Sequence, residues 1–313
     1  MDFPVSHTHL NPVFLVGIGF IVGLLGGFFG VGGSFLAGPA LFAAGVPMNF
    51  VVGTDLAHMV GKSIVAARKH HLMGNIDVKF ALFMVPGTIL GVEIGAQIIQ
   101  YLKSKANVDT PVALVFMAVL LGISTFMGWE SWQTLRQLRK KKKGEADMLK
   151  QKNDGAKGDV SVVGRHSRAI QRLHLWPMIS FPKSGIRSIS LWTVLVVSFV
   201  GGLFGGFLGG GAGYIRMPAM VYLLGMPTHI AVGTDLFEVI ISAGWGTLSH
   251  GVKGNVDILI ALVMHTGAAL GAQIGAYATQ YFAGPRIRLA FVPLPLIGVG
   301  VLIYGLTTGH HMK

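Results

Sequence analysis

The sequence predicts an all-α polytopic membrane protein built of two homologous halves, each with about four hydrophobic segments. Three observations predict it. The 313 residues are 52% hydrophobic and only 12% charged, against roughly 25% charged in soluble domains, and mean hydropathy is +0.62. Long apolar runs recur along the chain, with 45 glycines among its residues, and glycine is more frequent in membrane helices than in soluble ones. The pattern of the first half then restarts near residue 189. These features exclude a disordered chain, a coiled coil and most soluble enzymes. The chain has no cysteine, which excludes disulfides, zinc–cysteine sites and a thiol nucleophile.

Residues 1–11 carry no Lys or Arg and lack the basic start of a signal peptide. The first apolar run covers 12–44, 33 residues. One straight helix of that length would span ~50 Å, against ~30 Å of hydrocarbon, so the run must break. Gly26-Gly27-Phe28-Phe29-Gly30-Val31-Gly32-Gly33, then Pro39, mark the break. Runs at 50–67, 80–102 and 111–129 complete an N-terminal transmembrane repeat, 1–132.

Residues 133–187 form a basic segment with Lys140 to Lys143 in a row. Its composition cannot bury enough apolar surface to fold alone, and a mobile loop is expected. Fourteen of the 25 Lys and Arg lie between Arg136 and Arg187. That concentration reads as a cytoplasmic loop of a multi-pass inner-membrane protein under the positive-inside rule. It does not read as a nucleic-acid interface, which needs a folded basic face. Arg136 to Lys143 either contacts anionic lipid or only sets orientation. The C-terminal repeat, 188–313, has runs at 189–224, 230–248, 256–282 and 289–306.

The two halves match motif by motif. Gly45-Val46-Pro47 through Gly53-Thr54-Asp55-Leu56 recurs as Gly225-Met226-Pro227 through Gly233-Thr234-Asp235-Leu236, 180 residues on. Gly74-Asn75-Ile76-Asp77 recurs as Gly254-Asn255-Val256-Asp257, and Gly87, Gly91 and Gly95 as Gly267, Gly271 and Gly275. Gly26-Gly27-Phe28 and Pro39 recur as Gly205-Gly206-Phe207 and Pro218. Repeated halves are a signature of secondary transporters. A single crossing by each glycine-broken run makes the repeats parallel; an in-and-out hairpin makes them inverted. Lys and Arg counts fit both, and the short run after each break favours the hairpin.

Several residues are chemical candidates. Broken helices expose N–H groups at positive helix ends, and two facing breaks would form an anion site. The plainer reading is that the glycines only permit close packing. Arg216 lies among apolar neighbours, where an Arg faces a partner or cavity. It either binds a sulfonate or carboxylate or pairs with Asp55, Asp235 or Glu238. Thr54-Asp55 and Thr234-Asp235 are helix caps or, at membrane depth, proton or cation sites. His58 and Glu238 occupy corresponding positions one turn after each Asp. Lys62 is a counter-ion or lies near a helix end. Gly-Asn-x-Asp reads as a turn plus N-cap, with His70 and His250 just before it. His70-His71 has no third ligand at suitable spacing, so no metal is expected, and no cofactor. Gly87-x3-Gly91-x3-Gly95 and its twin are packing faces. Glu93 and Gln273 sit on the same helices; Glu93 either titrates or pairs with a neighbour. Gly61-Lys62-Ser63 is not a phosphate loop, since Leu56 stands where glycine is needed.

A Gly-Gly-x-x-Gly-x-Gly-Gly-x5-Pro segment, then Gly-x-Pro, Val-Gly-Thr and Gly-Asn-x-Asp, all repeated, resembles the TauE/SafE family of sulfite and organosulfonate exporters, also called toluene-sulfonate uptake permeases. The resemblance covers roughly 12–130 and 189–306 and omits the basic segment. It implies a membrane transporter, not an enzyme, that moves a small sulfur-containing anion across the bilayer. It places Gly30, Gly32, Gly33, Gly209, Gly210 and Gly211 at the substrate cavity, with Thr54 and Thr234. The family commonly has Ser after Gly-Thr; here Asp55 and Asp235 stand instead. Two carboxylates repel an anion unless protonated or paired, which favours proton coupling or an Asp–Arg216 pair. The expected mechanism is alternating access, with Arg216 on the anion and Asp55, His58, Asp235 and Glu238 carrying the coupling ion. A cation-coupled transporter of a non-sulfur substrate is the alternative.

Overall fold

The computed structural model describes residues 1–105, 107–149, 175–210 and 213–308, without the side chains of 134, 135 and 137–149. A hairpin of two short antiparallel strands, β1 (Asp2–Phe3) and β2 (Thr8–His9), opens the chain. Then come α1 (Pro12–Phe29), α2 (Ser34–Ala43), α3 (Met48–Leu72), α4 (Val78–Ser104) and α5 (Asp109–Leu149). A second antiparallel hairpin, β3 (Met178–Phe181) and β4 (Ile186–Ser190), precedes α6 (Leu191–Leu208). The short α7 (Gly213–Pro218) runs into a π-helical turn, Ala219–Leu223. The last helices are α8 (Thr228–Val252), α9 (Ile258–Ala278), α10 (Gly284–Phe291) and α11 (Pro293–Thr308). Among the described residues, seven helical stretches are long and apolar enough to cross a bilayer. The protein is an all-α, multi-pass membrane protein.

The expected break in the first run is present. Asn11 and Pro12 start α1, the Asn11 side chain accepting the Val13 N–H. Gly30 ends it in the left-handed region, and Gly33, also left-handed, precedes α2. A Cβ on Gly33 would strike the Val22 carbonyl, and one on Gly26 would lie 2.9 Å from the Gly32 carbonyl carbon. The chain therefore folds back along α1, and α2 returns in the opposite direction.

The expectation of a mobile polar loop over 133–187 needs correction at both ends. α5 continues as helix through Lys140–Lys143 to Leu149, because Lys, Arg, Gln and Glu are good helix formers whatever their polarity. The far end forms β3 and β4. Residues 150–174 lie outside the described residues.

Glycine faces position the central helices. Gly267, Gly271 and Gly275 of α9 lie against the backbone at Val16, Phe20 and Leu24 of α1. Gly87, Gly91 and Gly95 of α4 lie likewise against Leu195, Phe199 and Leu203 of α6. A Cβ at any of these six would collide with a carbonyl or amide of the facing helix, so the backbones approach as only glycine permits. Residue numbers rise together in both pairs, so α1 runs parallel to α9 and α4 to α6. α3 also parallels α9, with Gly53 at Asn255 and Gly61 at His265. α8 parallels α4, with Thr234 at Asp77 and Ser249 at Glu93. A five-residue turn reverses the chain between α8 and α9, so α1, α3 and α9 point one way and α4, α6 and α8 the other.

Polar ties at each turn repeat the same exchange. Asp77 caps α4 by accepting the Phe80 N–H (3.0 Å), and its own N–H donates to Thr234 Oγ1 (2.9 Å). Asp257 caps α9, and its N–H donates to Thr54 Oγ1 (2.9 Å). Ser184, at the tip of the β3–β4 hairpin, donates to Asp77 Oδ2 (2.6 Å). Ser6, between β1 and β2, donates to Asp257 Oδ2 (2.8 Å). His70 Nε2 donates to the Gly27 carbonyl (3.1 Å) and His250 Nε2 to that of Gly206 (2.8 Å). A carbonyl can only accept, which fixes the Nε2–H tautomer in both rings.

Candidate functional site

Where the two glycine breaks approach the middle of α3 and α8, the described residues form a buried polar cluster. Gly30 packs on Val232 of α8, and Gly209, its counterpart, on Val52 of α3. A Cβ at Gly210 would fall on the Ser34 side chain, and one at Gly32 on Met59. Gly30, Gly32, Gly33, Gly209 and Gly210 are therefore brought together, each with positive φ. Gly211 lies outside the described residues. Ser34, first in α2, donates to Met59 Sδ (3.1 Å).

Two charged groups flank this crossing. Arg216 of α7 is held by two acids of α8. Its Nε donates to Asp235 Oδ1 (2.7 Å) and its Nη1 pairs with Glu238 Oε2. Glu238 also accepts from Ser242 Oγ (3.2 Å). All three charged side chains are fully buried. Removing ions from water costs several kcal/mol each, offset only by close partners, so Arg216 is a paired residue. Two carboxylates facing one guanidinium also leave one negative charge in excess, which a proton or cation would balance.

On α3, His58 Nδ1 faces Asp55 Oδ1 at 3.5 Å. Asp55 Oδ2 points toward the other half, 3.2 Å from where a Cβ on Gly210 would stand. One turn on, Lys62 is 2% exposed. Its Nζ is buried and, among the described residues, has no hydrogen-bond partner. Tyr214 of α7 is buried against Phe116, ring centroids 6.0 Å apart.

Asp55 with His58, and Arg216 with Asp235 and Glu238, thus form two buried groups beside the crossing, with neither Asp at a cap position. Asp55 is the eighth residue of α3 and Asp235 the eighth of α8. Thr54 and Thr234 stand apart, their hydroxyls accepting from the Asp257 and Asp77 backbones of the opposite half. Glu93 is not isolated: it accepts from Ser249 (2.7 Å), Lys253 (3.0 Å) and Gln97 (2.8 Å). Tyr214 and Ser34 are site neighbours that the sequence did not single out, and Lys62, read as a counter-ion or a residue near a helix end, lies mid-helix beside them. For Lys62 the signal was present, since it repeats the i, i+3, i+4 spacing of Asp55 and His58.

The model of the sulfite exporter TauE/SafE family matches residues 15–302. The chain belongs to this family. A probable membrane transporter protein, YunE of Bacillus subtilis, is 26% identical over 306 residues, covering 95% of this chain and 99% of its own. A second from that organism, YdhB, is 22% identical across 91% of this chain and 97% of its own. A sulfite exporter TauE/SafE family protein 3 of Arabidopsis thaliana is 29% identical over 84 residues, 27% of this chain and 18% of its own. No solved structure matches. Within the TauE/SafE family the chain is a membrane transporter, and its relatives carry transporter names rather than enzyme names.

Proposed function

We propose that the chain is a secondary transporter of a small anion, sulfite or an organosulfonate, driven by an ion gradient. The observation that carries this reading is the crossing of the two glycine breaks, where Gly210 of one half meets Ser34 and Asp55 of the other. Irregular backbone at membrane depth is tolerated where it is buried in protein or lines a cavity, and broken helices in two repeats are the usual place for a transported ion. The opposed directions of α1 and α6 support an inverted pair of repeats rocking about this point. The N–H groups of Gly32, Gly33, Gly209 and Gly210 would face the anion, while Gly30, whose N–H caps α1 at the Gly26 carbonyl, turns the chain toward it. Asp55 with His58, and Asp235 with Glu238, would carry protons. Arg216 would set the charge of the second pair, and the basic stretch Arg136 to Lys143 would lie on the cytoplasmic side.

A second reading keeps the transporter and changes the cargo. The extra negative charge around Arg216 suits a coupling cation with a non-sulfur substrate. Uptake of labelled sulfite and sulfoacetate into proteoliposomes, with and without an imposed proton gradient, separates the two. Accumulation that follows the gradient, and loses that dependence in Asp235→Asn, supports the first. Absence of flux for both anions, with sodium- or metal-dependent flux of other solutes, supports the second.

A further inference from the structure

We propose that Lys62 is the residue that grips the transported anion. The inference rests on the anion-transporter reading and gives its cargo a seat on α3. Lys62 is an ammonium at the middle of a helix whose neighbours are buried, and it is itself 2% exposed. A cation at that depth is expensive unless a partner offsets it. Asp55 faces His58, and Arg216 pairs with Asp235 and Glu238. Lys62 is attracted to Asp55, but its Nζ makes no hydrogen bond to that acid or to any other acceptor among the described residues.

The groups around it are donors or potential donors. On its own helix, His58 keeps Nε2 free while Nδ1 faces Asp55. From α9, His265 packs its ring on Gly61, and its Nδ1 is buried and free among the described residues. The one facing acid, Asp55, turns Oδ1 to His58 and Oδ2 toward Gly210. Ammonium and imidazole together fit an oxyanion of one or two negative charges. His58 becomes a donor to it on taking a second proton, so an anion and a proton can occupy the site together.

The repeat sharpens the assignment. The residue matching Lys62 in the second half is Ser242, which is bonded to Glu238. The residue matching Arg216 in the first half is Ala37. The buried cations of the cluster thus sit in different places in the two halves: Arg216 is outbalanced by two bonded acids, whereas Lys62 is attracted to one acid, Asp55, and keeps its N–H donors unspent. One half would bind the anion and the other would hold the coupling charge.

The test uses the full-length protein, wild type, Lys62→Met and Lys62→Arg, with sulfite and sulfoacetate as probes. Melting in detergent is followed as each anion is titrated, and uptake is measured in proteoliposomes. Wild type is expected to melt higher with anion. Lys62→Met should lose that shift and take up anion at least about tenfold more slowly, the scale of one charged hydrogen bond. Its melting without anion should fall less than that of Arg216→Ala, since Lys62 makes no hydrogen bond to Asp55. Lys62→Arg should recover part of the shift. An unchanged shift and unchanged uptake in Lys62→Met overturns the inference and leaves the transporter reading intact. Failure of Lys62→Arg to recover binding, with Lys62→Met unfolded, also overturns it, because the lysine would then be structural. No shift and no uptake in wild type overturns the anion reading itself, and this inference with it.

Discussion

Arg216 illustrates why a charge so rare in an apolar run was easy to notice and hard to interpret. Its cost in the bilayer made it conspicuous, but a partner's identity depends on packing between α7 and α8, which no local pattern encodes. Removing it leaves Asp235 and Glu238 buried without their cation, so Arg216→Ala should destabilise the fold by about 3–5 kcal/mol. Thermal unfolding in detergent would register this as a large fall in melting temperature, before any transport assay. The threonines should behave differently. Thr54→Val and Thr234→Val each strand one buried N–H, of Asp257 and Asp77, at about 1–3 kcal/mol. The two ties share no partner, so the double variant should show the sum of the singles. Lys62 was legible as a counter-ion or as a lysine near a helix end, and the choice turned on depth. The apolar stretch seemed to end near residue 67, yet α3 runs to Leu72, since Arg68, Lys69, His70 and His71 extend the helix without extending the hydropathy.

At the scale of the element, the glycine faces and the breaks were visible because their spacing recurs in both halves, and spacing survives without knowing the partner. What they pack against was not visible. Gly271→Leu should drive α9 off α1, where its Cβ would meet the Phe20 carbonyl, and overpacking of this kind costs about 1–3 kcal/mol or more. Gly17→Leu on α1 is the matched control: a Cβ there meets nothing within 4 Å. Yield of monodisperse protein and melting temperature should fall for the first and stay level for the second. The two hairpins escaped sequence reading altogether. Strands of two to five residues carry little usable alternation, and the serines at their tips bond to turns 107 and 251 residues away.

For the whole molecule, composition and long apolar runs were enough to give the class, and the repeated motifs point to two halves, whereas any relative direction of these required contacts. Lys and Arg counts came out the same under either arrangement; the parallel pairing of α1 with α9 and of α4 with α6 favours the inverted one. Because each half places its first helix on the fourth helix of the other, neither half buries its own glycine faces. Residues 1–149 and 175–313, expressed as separate chains, should each be degraded when alone and recover as a co-purifying pair when made together. Recovery of either piece alone as a stable, monodisperse protein would contradict the exchange.

That exchange also orders events during synthesis. The groove on α1 stays vacant until α9 leaves the ribosome, some 240 residues after α1 began, so the nascent protein must wait in the lipid with an unfilled seam along its first helix. Insertion and completion are thus separate stages for this chain. A quality-control protease that surveys open helix faces would meet nearly every molecule once before it is finished.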